Sequence, residues 1–106
     1  MVILKDRSGR ACARVIDDWI VAGTAATHLG WVRSGAVYDK SGKHVGWYAS
    51  NTLYDTAGQK VATGSSGTST TPLPARPSKP GFGTTPSRPT LGSTWSTKTS
   101  QSLFGA

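Results

Sequence analysis

A short phrase of sequence occurs twice in the middle of the chain, and it constrains the fold more than any other feature. Residues 37–45 read Val-Tyr-Asp-Lys-Ser-Gly-Lys-His-Val, and residues 53–61 read Leu-Tyr-Asp-Thr-Ala-Gly-Gln-Lys-Val. The same frame begins at Leu4, and a degraded form begins at Val21. A repeat of fixed period predicts that one supersecondary unit is used several times. We therefore expect four tandem copies, at about 2–13, 20–31, 36–48 and 52–63.

Each copy has the pattern of a β-hairpin. An Asp-x-x-Gly segment lies between two short apolar runs, which is typical of a tight turn in which the Asp side chain accepts backbone N–H groups and the Gly adopts a positive φ. The turn-forming residues are Asp6, Gly9, Asp39, Gly42, Asp55 and Gly58. In copy two we place the turn at Gly23, so that the extra residue of the first interval falls in the linker at Asp17-Asp18.

Stacking the copies predicts the core. Two aliphatic columns should point inward, because alternate residues of a strand share one face. These columns are Leu4, Val21, Val37 and Leu53 before the turn, and Cys12, Leu29, Val45 and Val61 after it. The next column is always small (Ala13, Gly30, Gly46 and Ala62), which indicates close backbone approach around a crowded axis.

Four hairpins supply eight strands, enough to close a sheet on itself and remove its edges. We therefore predict an all-β fold: a small, shallow barrel of four β-hairpins with pseudo-four-fold symmetry. The linkers Asp17-Asp18, Ser34-Gly35 and Ser50-Asn51 carry the residue types that tight turns between neighbouring hairpins require.

The composition changes at Gly64. Of the 43 residues from there to Ala106, 30 are Gly, Ser, Thr or Pro, and all six prolines lie in this segment. Such a segment has little apolar surface with which to offset the entropy of ordering it. We therefore expect one β domain at 1–63 and a disordered, basic tail at 64–106.

The formal net charge is +7, and the chain contains no glutamate. This excess favours an anionic partner such as nucleic acid, a membrane surface or an acidic protein. The single cysteine, Cys12, excludes an intrachain disulfide. No signal peptide and no apolar run of membrane-spanning length is present, so we expect a cytoplasmic protein without a membrane span.

The repeated segment from Val37-Tyr38-Asp39 to Gly46-Trp47 resembles the motif of the bacterial four-fold β-flower proteins, and the resemblance covers Val2–Thr63. That resemblance implies a shallow barrel built of four hairpins. It implies no activity, because the family has no established one.

One candidate ligand site follows from the repeats. His28 and His44 occupy the same position in adjacent copies, where the other two copies have Ala11 and Lys60. If this column lies near the symmetry axis, the two imidazoles could form a small-molecule or metal receptor, with Trp31, Trp47 and Tyr48 as aromatic walls. A structural metal site needs about four ligands, which this column does not supply, so we predict no metal and no cofactor.

A second candidate is weak binding of nucleic acid or of an anionic surface. Trp19, Trp31 and Trp47 could stack on bases while Arg14, Arg33 and Lys43 meet phosphates. The alternative is that the indoles only cover a thin core. The sequence contains no catalytic triad, phosphate loop or metal motif, and the aspartates are explained as turn formers, so we do not expect an enzyme.

The tail contains a third candidate. Residues 72–80 resemble a polyproline II ligand, and Trp95, Leu103 and Phe104 stand isolated in polar sequence near the C-terminus. These three residues are candidates for a partner-docking segment; the alternative is a solubilising extension with incidental aromatics. The leading hypothesis from sequence is a non-catalytic β-module that binds or tethers through its tail.

Overall fold

A computed structural model describes residues 1–104 of the chain. Its eight strands are β1 (Val2–Lys5), β2 (Ala11–Ile16), β3 (Trp19–Ala22), β4 (His28–Arg33), β5 (Ala36–Asp39), β6 (His44–Ala49), β7 (Thr52–Tyr54) and β8 (Lys60–Ser66). Each strand pairs antiparallel with its neighbours in sequence, and β1 pairs with β8, so the sheet is a closed barrel. The predicted all-β barrel of four hairpins is confirmed.

The turns that connect the strands follow the predicted chemistry. In hairpins one (β1–β2), three (β5–β6) and four (β7–β8), one oxygen of the Asp side chain accepts two backbone N–H groups, as in Asp6, whose Oδ1 lies 3.0 Å from both Ser8 N and Arg10 N. The glycine of each turn has a φ between 86° and 91°. The linkers between hairpins are two-residue turns with positive φ at Asp17, Ser34, Gly35, Ser50 and Asn51.

A β-bulge explains the small column. In each hairpin the register shifts by one residue next to the turn; in hairpin one, Leu4 pairs with Ala13 and Lys5 pairs with Ala11. A bulge sets two residues against one on the partner strand. Cys12 and Ala13 consequently both contact the barrel interior, as do Val61 and Ala62. The second residue of each such pair is small because the first already fills the interior.

Copy two is offset by one residue from the predicted alignment. Val21 forms the last pair before its turn, with His28, as Tyr38 does with His44 and Tyr54 does with Lys60. The extra residue therefore lies in the turn between β3 and β4, not at Asp17-Asp18. Ile20 takes the interior position of this copy, while Val21 is buried on the outer face of the barrel. The prediction of Val21 as an inward core residue is wrong, because the missing Asp and Gly left the turn of copy two without a marker.

The outer face of the barrel carries a second apolar layer. It contains Trp19, Trp31, Tyr38 and Trp47, each at most 5% exposed. The side chains that cover this layer include Phe82 and Leu91, which belong to the C-terminal segment. A thin barrel with few large interior residues thus gains a second buried layer outside its sheet.

The C-terminal segment differs from the predicted disordered tail. Strand β8 continues to Ser66, three residues beyond the predicted domain boundary. Residues 67–98, here called the belt, pass over the outer face of hairpins two, three and four in turn. A short helix, α1 (Ser100–Phe104), follows, and Leu103 and Phe104 enter the interior cluster with exposures of 6% and 5%. We call this helix the plug.

The belt has its own period of nine residues, which is shorter than the period of the barrel. Residues 72–80, 81–89 and 90–98 align as three units of nine residues. The second position of each unit is Leu73, Phe82 or Leu91, and the seventh is always serine. Low-complexity composition hid this period, although the spacing of the three large apolar residues is visible in the sequence.

Candidate interaction surface

The belt contacts hairpins three and four in the same way. Gly83 N donates to Gly42 O at 2.8 Å, and nine residues later Gly92 N donates to Gly58 O at 3.0 Å. A Cβ atom on either turn glycine would clash with a belt carbonyl oxygen, that of Gly81 or of Thr90. The two contacts are thus nine residues apart in the belt and sixteen residues apart in the barrel. Equivalent positions of successive belt units therefore bind equivalent turns of successive hairpins.

Hairpin two uses a different contact. The belt position equivalent to Gly83 is Pro74, which has no N–H to donate, and the turn of hairpin two lacks the Asp-x-x-Gly pattern. Here Arg14, with no exposed surface, joins the two parts of the chain. Its guanidinium donates to the carbonyl oxygens of Ala22, Ala25, Thr71 and Pro72 at 2.7 to 3.2 Å. Several carbonyl acceptors compensate for the burial of this charge.

One carboxylate holds the first belt unit at the opposite end of the barrel. Asp18 pairs with Arg76 at 2.6 Å and with Lys79 at 2.5 Å. Hydrogen bonds from Lys79 and Arg76 lower the pKa of Asp18 to about 2. The Arg76 guanidinium also lies over the rings of Trp19 and Trp31, at 5.5 and 5.3 Å from their centroids. Cation–π contact and ion pairing therefore act on the same arginine.

The two histidines lie outside the barrel, away from its axis. His28 packs edge-on against Trp31 with ring centroids 4.8 Å apart, and His44 packs against Trp47 at 4.7 Å. Burial lowers the pKa of both imidazoles, so the neutral form is favoured. His28 Nε2 lies 2.9 Å from the carbonyl oxygen of Gly30. Each histidine thus packs within its own hairpin.

The predicted ligand set is divided between the two faces of the sheet. His28, His44, Trp31 and Trp47 contact the outer layer, whereas Tyr48 packs against the interior cluster. The interior itself is filled by aliphatic side chains, Leu103 and Phe104. The structure therefore does not bring the five residues together around the axis. Within residues 1–104 as described, no three histidine, cysteine or aspartate side chains are grouped to hold a metal ion.

The predicted docking residues of the tail contact the barrel of their own chain. Trp95 is partly buried, forms a parallel bridge with Lys60, and has the Lys60 ammonium 5.6 Å from its ring centroid. Leu103 and Phe104 lie in the barrel interior. A partner could contact Leu103 or Phe104 only after the plug had left the barrel.

Hairpin one has no belt unit. After Lys98 the chain turns into the plug, and a Cβ on Gly9 would meet no atom within 4 Å. Between this turn and residues 95–100 lies a groove of about 450 Å³, lined in part by Arg7, Ser8 and Lys98. We call it the open groove. Lys5, which pairs with Thr63 on the adjacent strand β8, takes the register position that Tyr38 and Tyr54 hold on hairpins three and four.

The open groove is basic. Arg7 and Lys98 line it, Lys5 and Arg10 flank the turn of hairpin one, and in residues 1–104 as described none of these four exposed side chains has a carboxylate within ion-pair distance. Asp6 also lines the groove, and its carboxylate accepts hydrogen bonds from the Ser8 hydroxyl and from the backbone N–H groups of Arg10 and Ser8, which lower its pKa. Positive charge at this groove is therefore only partly offset within the molecule.

These observations define a class of protein: a small closed barrel of four equivalent hairpins, enclosed by its own C-terminal segment. The chain belongs to the 4-fold beta flower protein family, whose model matches residues 3–104. The match extends through the belt and the plug, well beyond the Val2–Thr63 of the sequence resemblance. No curated protein and no solved structure matches the chain significantly. Within the described residues, no helix has the length and apolar character needed to cross a membrane.

Proposed function

We propose that this protein is a non-catalytic binding module that engages an anionic partner through its exposed basic side chains. The observation that carries the proposal is the distribution of its charges. The chain has twelve lysines and arginines and only five aspartates. Asp6, Asp39 and Asp55 accept turn N–H groups, and Asp18 is paired with the belt.

Most of the other lysines and arginines face solvent, although Arg14 is buried and Lys60 is half-buried. In the described part of the chain, ion pairs involve only Arg76 and Lys79. The exposed basic residues outside those pairs are Lys5, Arg7, Arg10, Arg33, Lys40, Lys43, Arg88 and Lys98. Exposed lysine and arginine side chains attract and bind anionic partners, and such binding weakens as salt screens the charges. Exposed cations without internal partners therefore support binding of an anionic surface.

The test uses the full chain and three probes: a poly-glutamate peptide, a single-stranded oligonucleotide and vesicles that contain an anionic lipid. We expect measurable binding to at least one probe at low salt, with affinity falling steadily as salt increases. The charge-reversed pair Arg7→Glu/Arg10→Glu should weaken binding, because two exposed cations become anions. Absence of binding to all three probes at low salt would contradict the proposal.

A further inference from the structure

We infer that the open groove of hairpin one is a docking site for an extended acidic peptide, bound as the belt is bound on hairpins three and four. This inference rests on the proposed anionic partner and names its class and its site.

The backbone contact is already present twice in the molecule. The turn glycines of hairpins three and four each accept an N–H from an extended segment, at 2.8 and 3.0 Å. Gly9 ends a turn of the same construction, with a φ of 87° against 91° and 86° at Gly42 and Gly58. Among the residues that the structure describes, no backbone N–H donates to Gly9 O. Hairpin one therefore presents the same acceptor to a segment from another molecule.

The groove is unsuited to another belt unit of this chain. On hairpin three the apolar second position of the unit, Phe82, packs on Tyr38 with ring centroids 4.6 Å apart. The equivalent of Tyr38 on hairpin one is Lys5, and its cross-strand neighbour is Thr63 where hairpin three has Trp31. A large apolar side chain would meet Lys5 and Thr63 at this position, and the aromatic side chain that lines the groove, Trp95, lies instead beneath the Lys60 ammonium. An Asp or Glu at that position would instead meet the Lys5 ammonium.

The charged side chains that line the open groove also favour an acidic peptide. Arg7 and Lys98 line the groove together with the hydroxyl-bearing Ser8, Ser96 and Thr97, and the one carboxylate in the lining, Asp6, already accepts hydrogen bonds from its own turn. Carboxylates accept hydrogen bonds from ammonium, guanidinium and hydroxyl groups together. An extended peptide also supplies a backbone N–H for Gly9 O, as the belt does for Gly42 and Gly58, whereas a nucleic-acid strand and a lipid headgroup have no backbone amide. The groove thus favours a peptide over the other anionic partners.

The chain contains a matched control for the charge. Arg7 is the residue that follows Asp6, and Lys40 is the residue that follows Asp39 in the same turn of hairpin three. Both side chains are exposed, so Arg7→Glu and Lys40→Glu change the net charge equally. The two variants differ in their surroundings: the turn that contains Arg7 borders the open groove, and the turn that contains Lys40 is covered by the belt.

The experiment measures calorimetric binding of a synthetic nonapeptide of Glu and Asp with glycine at its third position, the position of Gly83 and Gly92 in the belt. The full-length protein should bind it, Arg7→Glu should weaken binding about tenfold, and Lys40→Glu should weaken it less than about twofold. A peptide with sarcosine at the third position cannot donate to Gly9 O, so it should also bind less tightly. Binding that survives this methylation would contradict the inference.

The other outcomes separate the two proposals. Equal weakening by both variants would mean diffuse charge attraction, which overturns the docking site and leaves the anionic-partner proposal standing. Binding of the oligonucleotide or the vesicles without binding of the peptide would do the same. No binding of any anionic probe would overturn both. As a control, both variants must have the same thermal unfolding temperature as the parent protein. If Arg7→Glu unfolds at a lower temperature, Lys5→Gln tests the same groove, because it removes a charge without reversing it.

Discussion

The barrel and the belt reach their ordered positions by different physical means. The barrel strands bury alternating apolar side chains and pair every strand with two neighbours. The belt forms no strand; it is held by separate contacts along its length, some of which recur after nine residues, such as Gly83 to Gly42 and Gly92 to Gly58. The comparison teaches that a Gly-, Ser-, Thr- and Pro-rich segment can be held in place by the repeated turns of a barrel, even though the segment has too few apolar residues to form a core of its own.

The largest effect in the C-terminal segment should come from the plug. Phe104 lies in the barrel interior at 5% exposure, whereas Leu73 of the belt is 44% exposed. Phe104→Ala should lower the free energy of unfolding by about 3–5 kcal/mol, since a buried aromatic is lost and a cavity remains. Leu73→Ala, as the control, should change it by less than about 0.5 kcal/mol. Urea unfolding measures both, and equal values would mean that the plug is not part of the core.

The next effect should come from Arg14. Arg14→Met keeps an unbranched side chain of related length but removes the donors to four carbonyl oxygens. We expect a loss of about 2–3 kcal/mol, because four hydrogen bonds from a charged donor are removed together. Amide exchange should also increase in residues 71–76, where the belt is anchored. If exchange there stays as in the parent protein, Arg14 does not hold the belt.

The Asp18 ion pairs give a smaller, pH-dependent effect. The pKa of Asp18 is about 2 in the folded protein and 3.8 in its ordinary environment. A lowered pKa stabilises the folded state above the ordinary value, and this contribution is lost as the pH falls from about 4 towards 2. Other aspartates also have lowered pKa values, so the difference between the parent protein and Asp18→Asn isolates this residue.

Tryptophan fluorescence should report that difference, since Arg76 lies over Trp19 and Trp31. The parent protein should show a change in this acid range that Asp18→Asn lacks, and the two proteins should have different stability at neutral pH. Identical acid titrations would show that Asp18 does not hold the first belt unit.

Much of the barrel could be predicted from the sequence because the residues that form each turn lie close together in the sequence. Asp-x-x-Gly specifies a turn whose hydrogen bonds lie within five residues, and the two-residue linkers contain residues that tolerate positive φ. Copy two was misaligned by one residue for the same reason: its turn has no Asp and no turn Gly, so only strand pairing could show that Ile20 points inward.

The outer layer and the belt could not be predicted in this way because their positions depend on contacts between segments that are far apart in the sequence. Trp31 and Tyr38 appear in the sequence as an exposed aromatic face, and their burial depends on a segment more than forty residues away. The histidine site was predicted from equivalence between copies, but equivalence does not say which face of the sheet the column occupies. The open groove emerges only once the filled grooves of hairpins three and four have been compared with hairpin one.

The most direct test of the account is the comparison of three turn glycines in the full-length protein. Gly9, Gly42 and Gly58 all have positive φ, so an alanine at each should cost about 1 kcal/mol of strain. At Gly42 and Gly58 the new Cβ would also clash with the belt, whereas at Gly9 it would enter open space.

We therefore predict that Gly42→Ala and Gly58→Ala each lower the free energy of unfolding by about 1–3 kcal/mol more than Gly9→Ala does. Equal losses at the three positions, measured by urea unfolding of the full chain, would contradict the account. Such a result would mean that the belt does not rest on the turns of hairpins three and four, and that hairpin one is not distinguished from them by an open groove.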